Sequence, residues 1–225
     1  MKKTNGRIRS IVLLVAILAV TSLVAVGVNS TAQTPAITNN TSAVEVVSVK
    51  PAESRVGYQV VIKNVSAKNI NGYSLGYDNG AYLISDMTGT IKPILAPGQQ
   101  LTVRGIPSRG TIVVRFVVFD DNSIDGDAVA AAQLQDRRLG IREQLERIIP
   151  LFSNGTDPKQ LKAQIEALPE ESQVSIWASS GVRDAKQDAL FALQKLDKNN
   201  VRAGLNKFIE ESNARMTRLP RRANP

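Results

Sequence analysis

The spacing of apolar residues changes once along this chain, near Asp127, and that change divides it into two kinds of structure. From Ala43 to Phe119 the apolar residues alternate. Val44 and Val46 lie either side of Glu45, and Tyr58, Val60 and Ile62 alternate with Gln59, Val61 and Lys63. Side chains on a strand point to opposite faces in turn, so period two marks a strand with one buried face. Further strands are expected at Tyr73–Tyr77, Tyr82–Ile84, Leu101–Val103 and Thr111–Phe119. Turn signals separate them: Lys50-Pro51, Asp78-Asn79-Gly80, Thr88-Gly89, Ala96-Pro97-Gly98 and Arg109-Gly110. Short strands broken by turns every 8–12 residues or so predict an antiparallel β-sandwich over 43–127. The run Ile112–Phe119 is the strongest strand, and Arg115 within it must reach a rim or find a partner.

Beyond Asp127 the period becomes helical, so 128–225 is read as an α-helical bundle or layer. Val129, Leu134, Ile141, Leu145, Ile148 and Phe152 fall on one face of a first helix, with Asp127 as its N-cap. Asp157 caps a second helix, with Pro158 in its first turn and Leu161, Ile165 and Leu168 on its apolar side. A third short helix is expected over Glu170–Ser179, with Trp177 in the core. Val182, Ala185, Ala189, Leu193 and Leu196 line a fourth. Val201, Leu205, Phe208, Ile209 and Met216 line a fifth, started by Asn199 or Asn200 and stopped by Pro220.

The chain begins with Lys2, Lys3, Arg7 and Arg9, followed by 18 residues, Ile11 to Val28, without a charge. A basic flank and an apolar run form an export segment, a signal peptide or signal anchor over 1–28. As a helix the run is about 27 Å long at ~1.5 Å per residue, just enough to span a bilayer. Its length favours a retained transmembrane helix, while Ala25-Val26-Gly27 and Ser30-Thr31-Ala32 offer small-residue sites for cleavage. Either way the remainder is expected outside the cytoplasm: periplasmic or exterior and membrane-anchored, or secreted. Residues 29–42, rich in Thr and Asn, read as a flexible linker. Asn29, Asn39, Asn40, Asn64 and Asn154 each open an Asn-x-Ser/Thr sequon.

The net charge of +8 resembles a nucleic-acid signal until it is divided. Residues 1–30 hold four basic groups and no acidic ones, 31–127 hold eight of each, and 128–225 hold 16 basic and 12 acidic. Half the excess is therefore the export flank, and no nucleic-acid partner is expected. The basic terminus from Arg215 to Arg222 is read as a frayed, solvated tail.

There is no cysteine and no histidine. This excludes Cys-linked lipid anchors, disulfides, thiol enzymes, Ser-His-Asp machinery and His- or Cys-ligated zinc. Ser-x-x-Lys, Walker and G-x-G-x-x-G motifs are also missing. The best candidate site is Asp120–Asp127. Asp121, Ser123 and Asp125-Gly126 imitate the start of a calcium loop, but the twelfth position is Ala132 in place of a bidentate Glu. A polar turn ending in a helix cap is the favoured reading. Glu170-Glu171 and Glu210-Glu211 are adjacent pairs, and neighbours on a helix do not face each other across a cleft. No catalytic, cofactor-binding or metal residue is assigned, and no cofactor is expected.

The first part also resembles a known class of module. Val60-x-Ile62-x-Asn64-x-Ser66, Lys68-x-Ile70, Leu95-Ala96-Pro97-Gly98 and Tyr73-Ser74-Leu75-Gly76-Tyr77-Asp78 carry the likeness, the last as a loosened F-x-L-Y-D motif. Residues 43–120 thus resemble the immunoglobulin-like β-sandwich modules of bacterial envelope proteins. The resemblance implies a binding or adaptor module without catalysis. The cysteine pair and core tryptophan of antibody domains are missing. The chain is accordingly expected to be α+β in two parts behind a membrane or signal helix. Its expected role is non-catalytic, binding a protein or an envelope polymer. A carboxylate- or metal-dependent hydrolase and a structural spacer are the alternatives.

Overall fold

The computed structural model describes residues 35–52, 57–77, 82–86, 88–89, 95–106, 110–197 and 199–221. The export segment expected over 1–28 and the first part of the linker lie outside the described residues. From Pro35 on, the described residues form one compact α+β unit with eight strands in two sheets and four helices.

The strands are β1 Ile37–Asn39, β2 Val44–Pro51, β3 Tyr58–Asn64, β4 Ile70–Tyr77, β5 Tyr82–Asp86, β6 Gln100–Ile106, β7 Ile112–Phe119 and β8 Ile124–Gly126. One sheet runs β2-β3-β6. The other runs β1-β7-β4-β5, with β8 also on β7. Every pairing is antiparallel except β1 with β7. β1 and β8 share one edge of β7, β1 along Ile112–Val114 and β8 along Phe116–Val118. Tyr58, Val60 and Ile62 of the small sheet share a buried core with Tyr73, Leu75, Tyr77, Ile112, Val114, Val117 and Phe119 of the large one.

β1 corrects the linker reading. Ile37–Asn39 is an edge strand. The Ala36 carbonyl accepts from the Ile112 amide at 2.8 Å, and the Asn40 amide donates to the Val114 carbonyl at 2.9 Å. Three residues are too few to show a period, so only the open edge of β7 reveals the pairing.

Arg115 is where the strongest strand changes face. Between Ser74 and Leu75 the register on β7 skips from Phe116 to Val114, so Arg115 is the extra residue of a β-bulge. Ile112 and Val114 face the sandwich core before it, and Val117 and Phe119 do so after it. Phe116 and Val118 turn to the opposite face, which the first helix covers. β7 is therefore apolar almost throughout because both of its faces are buried.

The helices are α1 Ala128–Asn154, α2 Pro158–Glu166, α3 Ile176–Gln194 and α4 Val201–Met216. Asp127 caps α1 as expected, accepting from the Val129 and Ala130 amides at 3.0 Å. Asp157 likewise caps α2. Two expectations change. Val129 is exposed, outside the buried stripe that begins at Ala130. Glu170–Ser179 is not a separate helix: Ser175 accepts from the Ala178 amide and starts α3, which runs through Gly181 without a break. Gly181 is instead a point of close approach. A Cβ there would collide with the Arg137 carbonyl, and one on Gly140 would collide with the Ala178 carbonyl. α1 and α3 thus cross backbone against backbone, and Ile148, Phe152, Leu161, Ile165, Ala189, Leu193 and Leu205 close the bundle core beyond the crossing.

Candidate functional site

The acids of Asp120–Asp127 are each held by a different neighbour. Asp120 accepts from the Asn69 side-chain amide at 2.9 Å. Asp121 accepts from the Lys68 ammonium at 2.6 Å and from the amide and hydroxyl of Ser123. The Lys68 ammonium beside it, with the Ser123 bonds, holds the Asp121 carboxyl far below the usual carboxylate range. Asp125 turns the other way. One of its oxygens accepts from the Ser42 amide at 2.8 Å, the Ser42 hydroxyl at 3.0 Å and the Ala43 amide at 2.7 Å. It therefore fastens the passage from β1 to β2. Asp127 is the α1 cap, and Ala132, at the twelfth loop position, is already inside that helix. Asn122 turns the loop with φ 63°. Asp121 and Asp125, four residues apart, serve opposite sides of the loop. Among the described residues no three acidic side chains are grouped to hold a metal ion.

One acid of each adjacent carboxylate pair lies beside a lysine. Glu170 faces the Lys186 ammonium at 2.8 Å, which lowers its pKa. Glu211 lies 3.9 Å from Lys207, one turn away on α4.

A second feature lies at the α2–α3 connection. Lys186 is buried on α3, and its ammonium donates to the carbonyls of Glu166 at 2.8 Å and Leu168 at 3.0 Å as well as to Glu170. Buried Gln144 donates to the Pro169 carbonyl at 3.3 Å, and the Ser172 hydroxyl donates to Glu143 at 2.9 Å. Side chains from α1 and α3 thus fix a non-helical segment at several points. Its far end presents Val174, Ile176 and Trp177, which are 39%, 77% and 37% exposed. Trp177 is therefore a surface residue, contrary to the core placement expected for it. The inner stripe of α3 is Ala178, Val182, Ala185 and Ala189, and Trp177 lies one residue, about 100° of helix, off that stripe. Recognising Ser175 as the cap would have placed Trp177 in the first turn and off the buried face.

Between α3 and α4 there is a groove of about 260 Å³, lined by Leu145, Phe191 and Phe208 with Asp188 and Arg215 at its side. The Arg215–Asp188 ion pair is 3.0 Å long, and Arg142 donates to the carbonyls of Met216 and Leu219. Leu219 is buried. The terminus is therefore packed through Leu219, which corrects the frayed tail.

No family profile, curated protein or solved structure matches this chain.

Proposed function

We propose that this protein is a non-catalytic extracytoplasmic module that binds a protein or an envelope polymer. It is held at a membrane by its N-terminal segment or released by cleavage, and 43–127 is an immunoglobulin-like sandwich. The observation that carries the binding reading is the apolar tip Val174–Ile176–Trp177 on its pinned connection. Contact residues held rigid before binding lose little entropy on association, and tryptophan is enriched among residues that dominate binding energy. The internal use of every acid in Asp120–Asp127 supports the non-catalytic side of the reading. The edge-sharing of β1 and β8 on β7 and the facing of the two sheets support the immunoglobulin-like assignment. The basic flank and uncharged run of 11–28 support export.

The test is co-purification of the full chain from its native envelope, paired with a Val174→Ser, Ile176→Ser, Trp177→Ser variant of unchanged helicity. A partner or polymer held by the parent and lost by the variant is the expected result. A ligand retained equally by both moves binding away from this tip, and no ligand for either contradicts the binding reading.

A further inference from the structure

The buried polar groups that lack a partner are concentrated in one place. Arg138 on α1 is fully buried and pairs with Asp86 of β5 at 3.0 Å, their side chains 0% and 5% exposed. It also donates to the Asn71 carbonyl at 3.1 Å and to the Asn71 side-chain oxygen at 2.9 Å. Gly72 makes the room: a Cβ there would lie 2.8 Å from the guanidinium. Yet Arg138 Nη1, Asp86 Oδ2, Asn71 Nδ2 and Thr88 Oγ1 have no hydrogen-bond partner, nor do Gln135 Oε1 and Asn122 Oδ1 a little further along α1. All six lie where α1 meets the large sheet. The other three such atoms among the described residues are Ser74 Oγ and Tyr77 Oη on β4 and Arg215 Nε on α4.

A seam of this kind favours opening. Opening would hydrate both charges of the Arg138–Asp86 pair, which closure takes out of water. What opposes opening is the contact of Arg138 with Asp86 and Asn71, beside a small apolar contact of Ala130, Ala131 and Leu134 with Phe116, Val118 and Ile84. α1 is the main tie between helices and sheets, and one residue, Asp127, joins it to β8. The bundle has its own core.

We propose that the helical layer docks on the sheet reversibly, opening at the polar seam around Arg138 and pivoting at Asp127. Opening uncovers Phe116 and Val118 and hydrates Arg138 and Asp86. The Arg138–Asp86 pair is the latch that sets how often this happens.

The chain has no cysteine, so spin labels can be placed cleanly at Thr102→Cys on β6 and Gln187→Cys on α3, both exposed. Distances are read by pulsed electron resonance on the full chain in detergent. Two populations are expected, the longer one growing several-fold in Asp86→Ala and shrinking in Asp86→Leu with Arg138→Met. If Asp86→Ala loses its helicity, the parent and the apolar pair decide the matter. A single distance in both, or an unchanged share of the longer one, means a permanently docked layer and overturns the proposal.

Discussion

The sandwich and the helical bundle close their cores by opposite means. The sandwich fills the gap between its sheets with large side chains, Tyr58, Tyr73, Leu75, Tyr77, Ile112 and Phe119 among them. The bundle removes side chains at its crossing: Gly140 and Gly181 bring two backbones together, with Ala178 and Ala185 beside them. The first strategy tolerates small volume changes because neighbouring side chains repack. The second does not, since the collision is with a carbonyl. Where the two regions meet, a small apolar contact sits beside a buried ion pair in a half-satisfied polar setting.

This contrast orders the expected effects of mutation. Gly140→Val should be the most damaging, above about 4 kcal/mol, because the added side chain meets the Ala178 carbonyl and the helix must shift. Thermal unfolding followed by circular dichroism would register it, and a loss under about 1 kcal/mol would mean the crossing is looser than described. Asp86→Ala should follow at about 3–5 kcal/mol, since it leaves the Arg138 charge buried and unopposed, while Asp86→Leu with Arg138→Met should be near neutral. Urea denaturation of the two variants makes that comparison. Asp127→Ala removes only the α1 cap and should cost about 1 kcal/mol in the same assay.

The smallest effect is a pH dependence. The Asp121 carboxyl titrates lower in the folded chain than in the unfolded one because of Lys68. Its stabilisation is present above the ordinary carboxylate pKa and is lost as pH falls from there toward the folded value. Both side chains of the pair are about half exposed, which limits the gain to at most about 1 kcal/mol. The stability difference between the parent and Asp121→Asn should therefore shrink on going from pH 7 to pH 3.

Much of this architecture was readable in the residues, and what was not has physical causes. Period two located β2, β3, β4, β6 and β7, and helical spacing with Asp127 and Asp157 located α1 and α2. β1 was hidden because a three-residue strand has no period. The bulge at Arg115 was hidden because an unbroken apolar run looks the same whether one face is buried or two. α3 was divided because Glu170–Ser179 and the stripe from Val182 to Leu196 read as two helices, when Ser175 starts one helix that runs through both. The Asp120–Asp127 loop was legible as a polar turn with a cap, but the hold of Asp125 on Ser42 and Ala43 spans more than eighty residues and leaves no local pattern. The seam was invisible for the same reason. Arg138 reads as one more charge on a helix until the fold sets it against Asp86 and Asn71.

The chain carries its own probes of two cores that meet at a weak seam. Its single tryptophan, Trp177, lies in α3, and its four tyrosines, Tyr58, Tyr73, Tyr77 and Tyr82, all lie in strands. The most direct measurement is urea unfolding of the parent and Asp86→Ala, followed by tryptophan fluorescence and by the tyrosine near-ultraviolet dichroism. With two cores joined at a weak seam, the substitution moves the tryptophan transition to lower urea and leaves the tyrosine transition close to the parent's. Both transitions moving together to one midpoint would contradict it, and would make the sheets and helices a single cooperative core.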